Sequence, residues 1–174
     1  MDFTPPLRAH PAWDTADGRI AATLPVNGDC NLAFHPDHES LAIAEEGEIC
    51  RWSWRERGPR WRTRKDASVS ALGGLAWSSD GALLAAVLAP ARAGLLDAAT
   101  GEVRARFQSP GGAAIRGLAL SPGAATLAMA RADGSVVLWH LSATRLALSR
   151  AGLDWSAPPT PPFAPPGPLR VVVE

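Results

Sequence analysis

Tyrosine is absent from this sequence, lysine occurs once among 17 basic residues, and there are only two cysteines and two methionines. Cys30 and Cys50 are too few for a disulfide framework in 174 residues and lack metal-ligand spacing, so small secreted scaffolds and zinc modules are excluded. There is no surplus of charge either. The 17 basic and 17 acidic residues cancel, which removes any global field that would draw in nucleic acid or an anionic membrane. Long hydrophobic runs are missing. The longest, Leu83 to Ala91, is about half of the ~20 residues a bilayer-spanning helix needs. Met1-Asp2 is followed by Pro5-Pro6 with no apolar run, so an export signal is not expected here. A soluble cytoplasmic protein with no membrane partner is the expectation.

Catalytic signatures are missing as well. There is no G-x-S-x-G elbow, no G-x-x-x-x-G-K-[ST] phosphate loop and no H-E-x-x-H, since Ala42 stands where the second histidine would be. Neither a cofactor nor a metal is implied.

What is present is a repeat. Asn31-Leu32-Ala33-Phe34-His35-Pro36-Asp37 returns 43 residues later as Gly74-Leu75-Ala76-Trp77-Ser78-Ser79-Asp80, and again as Gly117-Leu118-Ala119-Leu120-Ser121-Pro122-Gly123. Each is an apolar strand entering a polar turn. Leu41-Ala42, Leu84-Ala85 and Leu127-Ala128 keep that spacing and open a second strand. A third strand is predicted over 48–54, 92–97 and 135–141. It is introduced by Asp133-Gly134 in the last unit, a tight-turn pair in which glycine accepts positive φ. A fourth strand follows a polar bend, most clearly at Thr100 to Phe107. Four short antiparallel strands per unit make a propeller blade. Trp13-Asp14 through Ile20 aligns without a gap on Leu96-Asp97 through Val103. The fold class is therefore all-β, a partial propeller: residues 1–28 end a preceding blade, 29–148 form three blades, and 149–174 are a proline-rich tail.

These residues resemble the WD-repeat family over roughly 8–148. Trp13-Asp14 is similar to its repeat-closing dipeptide, Ala33 to Asp37 to its Phe-Ser-Pro-Asp turn, and Asp133-Gly134 to its turn pair. The resemblance assigns structural repeat positions to Trp13, Asp14, Phe34, Trp52, Trp77, Asp97, Asp133, Gly134 and Trp139. The sequence departs from the pattern at Ser53 and His140, where aspartate is usual, and at Leu96, where tryptophan is. No Gly-His pair opens a repeat. The family's His–Asp–Trp hydrogen-bond network thus lacks its histidine, and apolar packing is expected to hold the blades.

Three and a half blades do not close a ring, so an exposed strand and an apolar flank are expected at each end. Either copies of this chain assemble or a second chain supplies the missing blades. In the tail, seven prolines between Pro158 and Pro168 predict polyproline II, more simply a tether than a ligand for an aromatic groove. The tail resembles the ends of some bacterial WD-repeat proteins. Its last residues, Leu169 to Val173, form a short β-prone run able to supply a missing strand.

The most charged stretch is 51–65, where Arg51, Arg55, Arg57, Arg60, Arg62, Arg64 and Lys65 interleave with Trp52, Trp54 and Trp61. Arginines beside aromatic platforms suit nucleic acid or another polyanion. The plainer reading puts Trp52 and Trp54 inward and the arginines on a solvated outer face. Glu45, Glu46 and Glu48 read as a solvated turn; His35, Asp37, His38 and Glu39 as a repeat turn rather than metal ligands; Cys30 and Cys50 as packed thiols. Functionally, the sequence reads as a non-catalytic protein-interaction scaffold whose protein partner is unidentified. Polyanion binding through Arg51, Arg55, Arg57, Arg60, Trp61, Arg62 and Arg64 is the alternative, and an enzyme with an unrecognised site comes third.

Overall fold

A computed structural model describes residues 9–26, 29–66 and 74–152. Among these described residues, thirteen strands fall into four antiparallel sheets. A two-stranded sheet joins β1 (Ala9–Trp13) to β2 (Ile20–Pro25). The first full blade is β3 (Asn31–Phe34), β4 (Ser40–Glu45), β5 (Glu48–Ser53) and β6 (Gly58–Arg64), in that order across the sheet. The second is β7 (Leu75–Trp77), β8 (Leu83–Ala89), β9 (Arg92–Asp97) and β10 (Val103–Gln108). The third contains β11 (Ile115–Leu120), β12 (Thr126–Arg131) and β13 (Val136–His140).

The sheets stack face to face, and each seam has its own apolar core. Leu24 and Val26 of β2 and its exit pack on Leu41, Ile43, Cys50 and Trp52. Ala42, Ala44, Ile49 and Trp61 of the first blade meet Leu84, Ala86, Leu88 and Leu96 of the second. The opposite face of the second blade, Ala85, Val87, Ala93, Leu95 and Phe107, meets Ile115, Leu127 and Met129 of the third. Small alanines on the second strand of each blade let the backbones approach, while Leu and Ile fill the gaps. Each fully buried Leu or Ile contributes about 1.5–3 kcal/mol relative to exposure. The backbones come close where the chain enters β7 beside β11. A Cβ on Gly74 would lie 2.6 Å from the Leu118 backbone nitrogen, so only glycine fits there.

The 43-residue period appears in the backbone as a left-handed residue in each first turn: His38, Gly81 and Ala124, with φ of 59°, 70° and 52°. This follows from the turn geometry and was not readable from residue type, because only one of the three is glycine.

Two expectations need correction. Among the described residues, the third unit does not pass directly from its third strand into a fourth. After β13 the chain forms α1 (Leu141–Arg150), Leu-Ser-Ala-Thr-Arg-Leu-Ala-Leu-Ser-Arg, a run of helix formers with no β alternation, with Leu141 buried at its start. Gly152, with φ 70°, follows its end and donates its N–H to Ser149 O at 3.0 Å, a glycine stop. The second correction concerns strand faces. β4 and β5 are buried on both sides, since each blade lies between neighbours, so Arg51 is not on a solvated face. The expected polyproline segment and the run Leu169 to Val173 lie outside the described residues.

Candidate functional site

The seam between the first and second full blades carries a polar network. Asp37, in the turn after β3, takes backbone N–H donors from Glu39 (2.8 Å) and Ser40 (3.1 Å) on Oδ1 and the Arg51 Nη2 donor on Oδ2 at 3.0 Å. Arg51 reaches across β4 from β5, donating through Nε to Ser40 Oγ at 3.0 Å and through Nη1 to Ala98 O of the second blade at 3.0 Å. Its guanidinium sits 5.7 Å from the Trp77 ring centroid. His35 donates from Nε2 to Gly81 O at 2.9 Å and meets Trp77 edge-on at 4.7 Å. The His35 Nδ1 accepts the Asp37 N–H at 3.1 Å in the neutral ring. The Asp37 Oδ2, 3.0 Å away, is the partner the imidazolium would choose. Trp77 Nε1 donates back to Ala33 O at 2.9 Å, Trp61 Nε1 to Ala98 O at 2.8 Å and Thr63 Oγ1 to Gly101 O at 2.7 Å. Burial works to raise the Asp37 pKa, but the Glu39 N–H, the His35 ring and the Ser40 N–H hold it down at about 2. The same burial lowers the Arg51 pKa, with Asp37 working to restore it.

Apolar packing is thus not the only adhesive. A histidine, an aspartate and an arginine tie these two blades, from positions that the repeat pattern did not assign to such a role. Leu95 and Leu138 hold the places equivalent to Arg51, opposite Ala85 and Ala128 as Arg51 is opposite Ala42.

The arginine ribbon does not assemble as one basic surface. Arg51 is in the seam. Arg55 pairs with Glu39 at 2.8 Å, Arg60 with Glu56 at 3.1 Å, and Arg62 with Glu48. Arg57 and Arg64 are exposed with no carboxylate partner among the described residues. Trp61 is buried, Trp52 is buried against the preceding sheet, and Trp54 stacks on Phe34 at 6.4 Å. His35, Asp37 and Glu39 all have the partners named above, and His38 takes the left-handed turn position. Burial pushes the Cys50 thiol up to about 12 and raises that of Cys30, so neither is tuned as a nucleophile.

Of the other repeat positions, Asp97 caps the Ala98–Thr100 turn and pairs with Arg104 at 3.0 Å; Asp14 caps a matching turn through the Ala16 N–H at 2.8 Å. Asp133 receives Ser135 N–H and Arg131, Gly134 supplies the left-handed turn residue at φ 82°, and Trp139 packs on Phe107 at 5.3 Å.

Among the described residues, large apolar side chains are exposed on both end sheets. At the downstream end Val136 is 64% and Leu138 57% exposed, whereas their equivalents, Ile49 and Arg51 in the first full blade and Ala93 and Leu95 in the second, are all buried. At the upstream end Trp13 and Ile20 are exposed. Leu32 and Phe34 are too, although their equivalents Leu75 and Trp77 are half-covered by the first blade. Sequence reasoning foresaw open ends but did not name these residues.

Stacked four-stranded antiparallel sheets with first strands adjacent define a β-propeller architecture, here in part. No protein-family model matches the chain, and no curated protein matches its sequence. Solved structures do. The chain is similar to the β-propeller domain of Myceliophteria thermophila Cps50 (Swd1), with 20% identity and a TM-score of 0.56 over 64% of this chain and 35% of that one. It is also similar to U3-55K, with 24% identity and a TM-score of 0.57 over 64% of this chain and 36% of that one. This chain therefore spans little more than a third of either structure.

Proposed function

We propose that this chain is a non-catalytic protein-interaction scaffold of WD type, and that the partner it fits is another blade-like sheet seated on its downstream flank. One observation carries the reading. Val136 and Leu138, 64% and 57% exposed, occupy the positions that in both preceding blades lie buried against the next sheet. Ala128 and Ala130 beside them repeat the small residues that allow close sheet approach. Large apolar side chains exposed side by side on one sheet face are the mark of an interaction surface. The titratable groups that do converge, His35, Asp37 and Arg51, are engaged with one another and with backbone carbonyls in the seam, and burial holds the Cys50 thiol up at about 12, which favours a scaffold over a catalyst.

The partner blade comes from a second copy or from another polypeptide, and light scattering on the full chain separates the two. A mass that is a multiple of 18.2 kDa, reduced to a monomer by Leu138→Asp, identifies copies of this chain. A monomeric wild type that captures a heterologous propeller fragment, with capture lost in Leu138→Asp, identifies another chain. A wild type whose mass, solubility and capture are all unchanged by Leu138→Asp overturns the reading.

A further inference from the structure

The edge of β13 differs from the apolar face just described. In the two preceding blades the third strand has partners on both sides: β5 pairs with β4 and β6, and β9 with β8 and β10. Among the described residues β13 pairs with β12 alone, because the chain leaves as α1 where a fourth strand would start. Its outer edge is also unguarded. The free edge of β1 contains Pro11, β6 contains Pro59, Arg60, Arg62 and Arg64, and β10 contains Arg104 and Arg106. Prolines and charges of this kind discourage strand addition. The sequence of β13, Val-Val-Leu-Trp-His, has neither proline nor a permanent charge. Buried polar atoms close to this corner, Trp139 Nε1 and Ser142 Oγ, have no hydrogen-bond partner among the described residues. An extended backbone alongside would bring carbonyl acceptors towards them.

From this we infer that the edge of β13 is a strand-acceptor site and that its occupant is residues 169–173 of the same chain, running antiparallel to β13 as a fourth strand. The sequence of the segment fits the place. Leu169-Arg170-Val171-Val172-Val173-Glu174 repeats the pattern of the fourth strand β10, Val103-Arg104-Ala105-Arg106-Phe107-Gln108: apolar at the first, third and fifth positions, arginine at the second, a carboxylate or amide at the sixth. Its reach is sufficient. The helix α1 carries the chain about 15 Å from the end of β13, and residues 151–168, at about 3.1 Å each when extended, span about 55 Å. The proline-rich stretch is then a return strap. The strand joins the edge of the last sheet and leaves the Val136–Leu138 face open, so this inference stands apart from the scaffold reading.

Residue-resolved amide hydrogen exchange on the full chain tests it. In the wild type all amides of 136–140 should exchange as slowly as those of β9, which has neighbours on both sides. Val171→Pro and Val172→Pro, made separately so that one of them removes a ladder donor, should accelerate alternate β13 amides by about tenfold or more while leaving β8 and β9 unchanged. The free peptide Leu-Arg-Val-Val-Val-Glu, added to the proline variant, should restore protection, which distinguishes an emptied edge from misfolding. The inference is overturned if alternate β13 amides already exchange freely in the wild type, or if neither proline changes them. It is overturned equally by protection that rises with protein concentration, since a second copy would then supply the strand.

Discussion

Arg51 and Trp61, from adjacent strands of one blade, donate to the same acceptor in the next: the carbonyl of Ala98 receives Nη1 at 3.0 Å and Nε1 at 2.8 Å. A carbonyl oxygen has two lone pairs, and here both are taken by neighbours across the seam. The turn between β9 and β10 is thereby fixed to the first full blade, with Asp97 holding its other side through the Ala99 and Thr100 amides.

Removing the guanidinium should be costly. Arg51→Ala removes the Nη2 donor from Asp37 Oδ2 and one of the two donors from Ala98 O, and should destabilise the fold by about 2–3 kcal/mol in urea unfolding. Arg51→Lys should recover little, since one ammonium cannot reach Ser40, Asp37 and Ala98 from the fork positions. An Arg51→Lys protein as stable as wild type would show that the contacts are incidental.

Acid should weaken the same seam. The Asp37 carboxyl sits at about 2 when folded and near ~3.9 when unfolded, so its contribution is complete above ~4 and is lost as pH falls towards ~2. Asp80 and Asp97 are also lowered and act in the same sense. Urea midpoints between pH 5 and 2 should fall less steeply in Asp37→Asn than in wild type.

Gly81 offers a sharper test of contact geometry. Its equivalents His38 and Ala124 show that a side chain can occupy this left-handed position, but a Cβ on Gly81 would lie 2.5 Å from His35 Nε2. Gly81→Ala should therefore cost about 1–3 kcal/mol, and most of the excess over a simple φ penalty should vanish in a His35→Ala background. Additive effects in the double-mutant cycle would contradict the packing described.

Thiol chemistry should split the two cysteines. Cys30 is half-buried, whereas Cys50 is buried with a pKa near 12. A disulfide reagent at pH 8 should label one thiol quickly and the second only at the rate of unfolding. Fast labelling of both would mean that the seam beneath Trp52 opens readily.

The alternative polyanion reading makes its own forecast. Glu39, Glu56 and Glu48 neutralise Arg55, Arg60 and Arg62, so single-stranded DNA should bind weakly and Arg60→Glu with Arg62→Glu should change that little. Steeply salt-dependent binding abolished by the double variant would revive it.

The blades were legible because a period of 43 residues survives in three copies and its apolar positions fall on strands. Arg51 was not, because an alternating strand was assumed to have one wet face, while a strand in a stacked blade has none. The helix after His140 was missed for a different reason. Expectation of a fourth strand outweighed a plain local signal, ten residues rich in Ala, Leu and Arg with a glycine just beyond. The seam histidine had a sequence signal only as part of a turn, since its acceptor, Gly81 O, lies 46 positions away.

One further consequence follows from the residues that succeed each other at a single repeat position: Arg51, then Leu95, then Leu138. At this position the junction between the first and second full blades is made by directed hydrogen bonds and the next by hydrocarbon, so neighbouring modules cannot be interchanged without burying a guanidinium against leucine or leaving an aspartate without its arginine. Sequential order along the chain is thereby encoded chemically as well as by covalent linkage. The terminal face inherits the undirected kind of junction, which selects its neighbour by shape and leaves fine discrimination to the surrounding rim.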